Sequence, residues 1–570
     1  MRKIAVALAL LAGCRNSAPA PAPVSAPPPA AAKVAIADAG ANDAACCSRE
    51  DMRADLTRLQ ELLESSHPDP YGRAGGADAF RARFADAERE LPATLDPQAF
   101  YLRLRPLLAQ VRDGHTNLRP PAVPNERRVL VGLDIVEERL VVRAVYDESA
   151  RATIGGVITA VEGAPVATLI ERMKERRGYD NAYTNLWHLS SALTRASSLE
   201  DLVGHPVGAT ARFAVGAGAI DARVVGVGVG AGADAAALRA ETKIALPEKD
   251  VTGIGSGFLG KDAKASAVLR IDSAMEYREA FEVWRATGFN GNLGAHLDGV
   301  VRAATKKESL EGMSLDDKIR AVPSFTERLE ELVTEMKRRG TPQLVVDLRE
   351  NEGGNSVFAS ILEYFLYPLD AVLSADHGYQ VPRYSALYFA NHTADSLEKV
   401  RARTRPDFAL GDSDTAAEEK WKASRGKKPS PEDLARDKLA MGRLAKMVPT
   451  FDAALTSGKW NAAWKGRVVV LTSARTYSAG FDAVLDLRAL GAKVVGVPPA
   501  QAANCFIDSL AFELPRSHLV GSISYKRSLG LPADPKNGEL LRPDVELTYE
   551  AWQKRAFDPN AAYDLVAQAR

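Results

Sequence analysis

The sequence lacks the signatures of several common chemistries. No CxxC pair and no HExxH segment occurs, so no metal centre is predicted. GxxxxGK[ST] is absent, which removes the usual P-loop, and no cofactor is expected. Charge of one sign is not in excess: Lys plus Arg and Asp plus Glu balance at 73 each, so no basic surface for nucleic acid and no acidic tail is implied. Aromatic residues make up only 7%, and no repeat of fixed period runs through the chain. Its 570 residues exceed one ordinary core; at about 150 residues per domain, three or four domains are expected.

At the amino terminus, MRKIAVALALLAGC places Arg2 and Lys3 before an apolar run, Ile4 to Ala12, too short to span a bilayer. It reads as an export signal over 1–13. Leu11-Ala12-Gly13-Cys14 resembles the lipobox of bacterial lipoproteins, which implies lipid on Cys14 and a membrane anchor; Arg15, rather than Asp, implies the outer membrane, facing the periplasm. An ordinary signal peptide with a chance cysteine is the alternative. Residues 14–47 are dominated by Ala and Pro and are expected to form a tether. Besides Cys14 there are Cys46, Cys47 and Cys505. A bridge between adjacent cysteines would be strained, which leaves a bridge to Cys505 open.

Ser48-Arg49-Glu50-Asp51 reads as a capping box, and Met52, Leu56, Leu59 and Leu63 follow at helical spacing until His67-Pro68 breaks the pattern. Two further helical patterns complete a helical domain over 48–122. Short β-branched runs, RVLVGLDIVEERLVVRAVY and GGVITAVEGAPV, predict a strand-rich module over 123–245. From 246 to 570 strand and helix alternate, which argues for an α/β layer with partly parallel strands, interrupted over 393–460 by charged helical sequence. That insertion reads as a solvated surface, with a lid as the alternative.

Three features could carry chemistry. Ser478 stands where the apolar run Val468–Leu471 ends and a helical pattern begins, so its hydroxyl is expected at a helix amino terminus, where N–H groups stabilise an anion. A simple cap is the bland alternative, and Ser473 and Thr476 are equally polar rivals. Gly353-Gly354, after the run Leu344–Leu348, could aim N–H groups at an oxyanion, turn a corner, or hold phosphate. Asp113-Gly114-His115-Thr116 carries a histidine into a loop, where it is either a base or surface decoration. The other histidines, His67, His188, His205, His296, His377, His392 and His518, have no stronger claim from spacing.

Taken in order, DGHT, the strand-rich module, DLRENEGGN, TYSAG, LPRSHLVGSISYKR and LRPDVELT resemble the tail-specific, or carboxy-terminal processing, serine peptidases. The branch they resemble most includes the tricorn core and the interphotoreceptor retinoid-binding protein modules. The resemblance implies an α/β multidomain fold with an N-terminal helical domain, a PDZ-like β-rich module and a ClpP/crotonase-like core. Many members take as base a lysine beyond the serine in a GxxTxGK context, whereas the corresponding stretch here, VGVPPAQAANCF, has none. The other branch uses the histidine of a DGHT-like motif. The resemblance therefore implies Ser478 as nucleophile, His115 as base, and backbone N–H groups of Gly353 or Gly354 and of Ala479 as the oxyanion hole. Asp113, Thr116 and Glu539 are the candidates to orient His115. Asn504–Asp508 and Gly480-Phe481-Asp482 depart from the family's pattern.

The expected activity is hydrolysis of polypeptides through a Ser–His acyl-enzyme, with no cofactor, by a lipid-anchored protein. The competing readings are a catalytically silent lipoprotein that binds peptides or hydrophobic ligands on the same fold, and an esterase. Oligomeric state is not legible in the sequence.

Overall fold

The computed structural model describes residues 47–569, apart from 124, 217, 227–236, 261–265, 289–292, 426 and 458–463. The export signal, Cys14, Cys46 and nearly all of the tether lie outside the described residues. Three helices, Arg49–Ser66, Ala77–Arg89 and Pro97–Ala109, form the amino-terminal layer. Ser48 caps the first, its hydroxyl accepting from the Asp51 N–H. Leu56, Leu59, Phe80, Phe84, Phe100 and Leu104 bury one shared face.

This layer does not close its core alone. Phe512, Leu514, Leu519 and Ile523, on the hairpin formed by strands Asn504–Glu513 and Val520–Leu529, complete it. The short strand Asn117–Leu118 pairs with that hairpin, Leu118 opposite Gly521 and Asn117 opposite Ser522. The segment after His115 is thereby sewn to the carboxy-terminal half of the chain.

Between these parts lies a β-rich module. A five-stranded sheet runs Arg127–Val129, Gly218–Gly226, Thr210–Val215, Ile158–Val161, Ala164–Pro165, beside a three-stranded one built on the hairpin Val131–Val136 and Arg139–Val145. Helices Val166–Arg176, Ala182–Ala192 and Ala196–Val203 cover them. Ala474, Val497 and Trp552 from the carboxy-terminal half join its core.

The carboxy-terminal half is built on a six-stranded sheet in the order Ile254–Leu259, Ser266–Ile271, Gln343–Asp347, Arg467–Thr472, Lys493–Gly496, Val545–Glu546. Only the first pair is antiparallel. Its central strands are unbroken apolar runs because both faces are covered. Val346, Val468 and Val470 face helices Phe325–Arg339, Val357–Leu366 and Ala479–Ala489; Val345, Val469 and Leu471 face the carboxy-terminal segment through Tyr563, Leu565 and Val566.

The charged segment 393–460 is more than a solvated insertion. Helix Pro431–Met447 buries Met441, Leu444, Ala445 and Met447 in the main core, and Val400 of helix Leu397–Arg403 packs with Tyr384 and Tyr388. Its charges line the outer face while its apolar stripe is structural. Among the described residues Cys505 forms no bridge; it is a buried thiol whose pKa burial raises well above the ordinary range. That thiol is inert.

Candidate active site

The strands Gln343–Asp347 and Arg467–Thr472 are parallel neighbours, and at their carboxyl ends both chains turn toward one cavity of about 430 Å³. Ligands of open α/β sheets bind at this edge. Ser478, His115 and Gly354 all line the cavity.

Ser478 holds φ 51° and ψ −124° directly before helix Ala479–Ala489. That left-handed strain costs about 1–3 kcal/mol and persists only where neighbours impose it. Here Gln501 Oε1 accepts the Ser478 N–H, Asn351 O accepts the Tyr477 N–H at 3.0 Å, and Gly480 packs so closely on Asn351 that a Cβ would sit 2.6 Å from its Oδ1. The rival hydroxyls are engaged elsewhere: Ser473 Oγ donates to Arg349 O, and Thr476 Oγ1 donates to Leu348 O at 2.9 Å. Neither lines the cavity.

Gly353 and Gly354 have φ of 115° and 137°. A Cβ on Gly353 would lie 2.5 Å from Ser478 Cβ, and one on Gly354 would lie 2.3 Å from Ala274 O. Glycine is thus required at both positions by conformation and by space. The loop turns a corner and borders the serine at once. The Gly353 N–H, however, donates to Asn351 Oδ1 at 3.0 Å, so of the three expected oxyanion donors Gly354 and Ala479 are the ones with no acceptor among the described residues.

His115 reaches the cavity because its loop is tied down from both sides. Its N–H donates to Asp113 Oδ1 at 2.9 Å, and its carbonyl accepts from Ser509 Oγ at 3.2 Å and Ser522 Oγ at 3.0 Å. Asp113 also accepts from the Thr116 hydroxyl and from His67 Nε2 at 3.2 Å. Its full burial would raise its pKa, but the hydrogen bond and charge of His67, with help from His115 and Thr116, hold the carboxyl down at about 2. Thr116 Oγ1 in turn accepts the Ser524 N–H at 3.0 Å.

The orientation of the His115 ring differs from expectation. Asp113 and Thr116 hold the loop backbone and do not bond the ring, and Glu539 bonds Asn181 through its carbonyl. The ring's partner is Tyr477: its hydroxyl donates to Asp180 Oδ2 at 2.8 Å, and so its oxygen accepts from His115 Nδ1 at 3.1 Å. The proton therefore sits on Nδ1, which leaves Nε2 as an acceptor. Nε2 is enclosed and has no hydrogen-bond partner among the described residues. The rings of His115 and Tyr477 stack at 4.7 Å, and Trp187 packs on the other side of Tyr477 at 5.3 Å. Gly114 makes room, since a Cβ there would lie 2.2 Å from the Tyr477 oxygen.

Asp180 completes this relay, accepting also from the Gly114 N–H at 3.0 Å. Loss of solvent pushes its carboxyl up to about 6, against the charge of His115 and the hydrogen bonds from Gly114 and Tyr477. The ionised form accepts from Gly114 and Tyr477 at once, whereas a proton on either oxygen competes with one of these donors. We expect kcat/KM to rise as pH climbs through about 6, with the limb flattened in Asp180→Asn; a limb unchanged by that substitution would remove Asp180 from the relay. Stability runs the other way. Folded Asp180 keeps its proton where the unfolded chain has lost it, so its contribution declines from the ordinary carboxylate range up to about 6 and is flat above.

Lys526 also lines the cavity, but it is ion-paired with Asp508. Burial alone would lower its pKa, yet Asp508 more than reverses this and holds the ammonium above the usual lysine range. A permanently protonated lysine cannot act as base. Glu363, Asp482 and Asp486 line the same cavity. Glu363, His377 and Asp486 are near enough to surround an ion. His377, though, turns Nδ1 toward Asp486 at 3.0 Å and Nε2 toward Glu363 at 3.6 Å. A ring so placed bridges two carboxylates rather than sharing one ion with them.

A hydroxyl on a strained strand-to-helix turn, an enclosed imidazole and open backbone donors around one cavity define a serine hydrolase site. The family model of Peptidase family S41 matches residues 318–506, a span that contains Gly353-Gly354 and Ser478. The chain is a serine peptidase, and residues 318–506 are the part that matches that family. No curated protein sequence matches it. Among solved structures it is similar to mature CPAF, with a TM-score of 0.52 at 12% identity over 91% of this chain and 98% of that one. Mature CPAF complexed with lactacystin gives 0.50 at 13% identity over 91% and 99%. These likenesses establish a shared fold. A photosystem II D1 C-terminal processing protease aligns at a TM-score of 0.36, 14% identity, over 90% and 98%.

Tyr477, Asp180, Asn351 and Gln501 were not singled out by sequence reasoning. Tyr477 carried a weak signal, adjacency to the serine. Asp180 and Gln501 carried none, because their roles depend on the packing of distant segments.

Proposed function

We propose that the chain is an endopeptidase in which His115 Nε2 takes the Ser478 proton as Oγ attacks a peptide carbonyl. The imidazolium then gives that proton to the leaving amine, and water hydrolyses the acyl-enzyme by the same route. The oxyanion sits against the N–H groups of Gly354 and Ala479. Removing one such donor typically costs about 10²–10³ in rate. The observation that carries this reading is the enclosed His115 Nε2 lining one cavity with strained Ser478.

The cavity also suggests which side chain precedes the scissile bond. Trp284, Leu444 and Met447 line it together with Glu363, Asp482 and Asp486, besides the Asp508 that is paired with Lys526, a setting for an aliphatic stem with a cationic head. Denatured casein is expected to be cut, predominantly after Lys and Arg, with cleavage sites read by mass spectrometry. Cleavage mainly after apolar residues would refute the preference. No cleavage, combined with saturable peptide binding, would favour the silent carrier, and turnover of small esters alone would favour an esterase.

Lipidation at Cys14 would hold this site on the periplasmic face of the outer membrane. Cys14→Ser is expected to move the protein from the membrane fraction to the soluble periplasmic one. An unchanged distribution would contradict the anchor.

A further inference from the structure

Behind the His115 loop, between the amino-terminal helices and the β-rich module, lies a second cavity of about 260 Å³. It shares no lining residue with the first. Five guanidinium groups line it: Arg105, Arg119, Arg176, Arg177 and Arg195. The only carboxylate among its lining residues is Asp201, which is committed to Arg105 at 2.9 Å and Arg176 at 2.8 Å. Arg119, Arg177 and Arg195 form no ion pair among the described residues. His188 lines the same cavity at 3% exposure, with neither ring nitrogen hydrogen-bonded, and Arg177 Nε is enclosed without a partner as well.

Unpaired positive charge that is partly buried, as at Arg177, is costly without a counter-charge. Elsewhere in this chain buried charges are paired, as Arg403 with Asp395 and Lys526 with Asp508. We propose that this cavity is a binding site for a small, multiply charged oxyanion of the phosphate class, held by Arg177, Arg195 and His188. Planar guanidinium forks match the oxygens of phosphate, and more than one positive group is left over once Asp201 is satisfied. The volume admits a phosphate group together with a small organic substituent.

The site has a short route to the serine. Arg176 and Arg177 are followed by Gly178, where a Cβ would lie 2.3 Å from Asp113 O, and then by Asp180 of the Tyr477 relay. Thr116 and Asn117, next to His115, are part of the cavity wall. An anion bound there fixes the segment that orients the base.

The test is thermal unfolding of the full chain in inorganic phosphate against chloride of equal ionic strength. Phosphate is expected to give a saturable rise in Tm. Arg177→Gln and His188→Phe should each weaken the apparent affinity by about ten-fold or more. Should Arg177→Gln not fold, Arg195→Gln, at an exposed position, carries the same expectation. Phosphoserine saturating below inorganic phosphate would identify a phosphorylated group as the ligand, and the reverse order the free ion; both support the site. No saturable rise, a rise equally produced by acetate, or one undiminished in the variants would overturn it. The readout does not depend on hydrolysis, so it stands or falls apart from the peptidase mechanism.

Discussion

Ser478→Ala and His115→Ala are each expected to reduce peptide hydrolysis by at least about 10⁴-fold while leaving the unfolding transition close to that of the parent. Groups that act as one nucleophile–base unit are non-additive, so the double variant should be no worse than the poorer single one. Ser478 is held by backbone bonds to its neighbours rather than through its hydroxyl, so removing Oγ disturbs no described hydrogen bond. His115 is anchored by its main chain to Asp113, Ser509 and Ser522, which survives truncation of the ring. A single variant retaining more than about a hundredth of parental kcat/KM would remove that residue from its assigned role.

The second large effect is expected at Tyr477. Tyr477→Phe keeps the ring packed between His115 and Trp187 but deletes the oxygen that accepts from Nδ1 and donates to Asp180. The imidazole then loses the bond that selects its tautomer. A fall of about 10²–10³-fold in kcat is expected, by analogy with the loss of an orienting acid from a serine triad. KM should change little, because Tyr477 does not line the cavity. Tyr477 is a positioning residue, so the informative readout is the pH profile. The acid limb assigned to Asp180 should flatten in Tyr477→Phe as it does in Asp180→Asn. If kcat and the limb both stay in place in Tyr477→Phe, the tyrosine is only packing.

Much of the core was legible because it rests on local patterns. Leu344–Val346 and Val468–Leu471 are apolar on both faces, as buried parallel strands must be, and each strand leads through a loop into a helix. The two functional loops follow from those junctions. His115 was legible as a loop residue, but its place in the cavity that Ser478 also lines depends on the pairing of Asn117–Leu118 with a hairpin some four hundred residues later. No periodicity reports a pairing of that kind.

The orienting group was missed for the same reason. Asp113 was the natural candidate by proximity in sequence, yet its carboxylate is used up by His67, Thr116 and the His115 backbone. The group that meets the ring comes from Tyr477, itself held by Asp180, on two other parts of the fold. Segment 393–460 misled in another way. Its charge content outweighs a sparse apolar stripe of Met441, Leu444, Ala445 and Met447, and only the fold shows that stripe reaching the core.

The measurement that tests the central claim most directly is fluorophosphonate labelling of the folded chain, with the adduct mapped by mass spectrometry and the variants run in parallel. An adduct confined to Ser478 and lost in His115→Ala is the predicted result, since it requires both an activated hydroxyl and its distant base. An adduct on Ser473 or Thr476, or equal labelling of Ser478 without His115, would contradict the account.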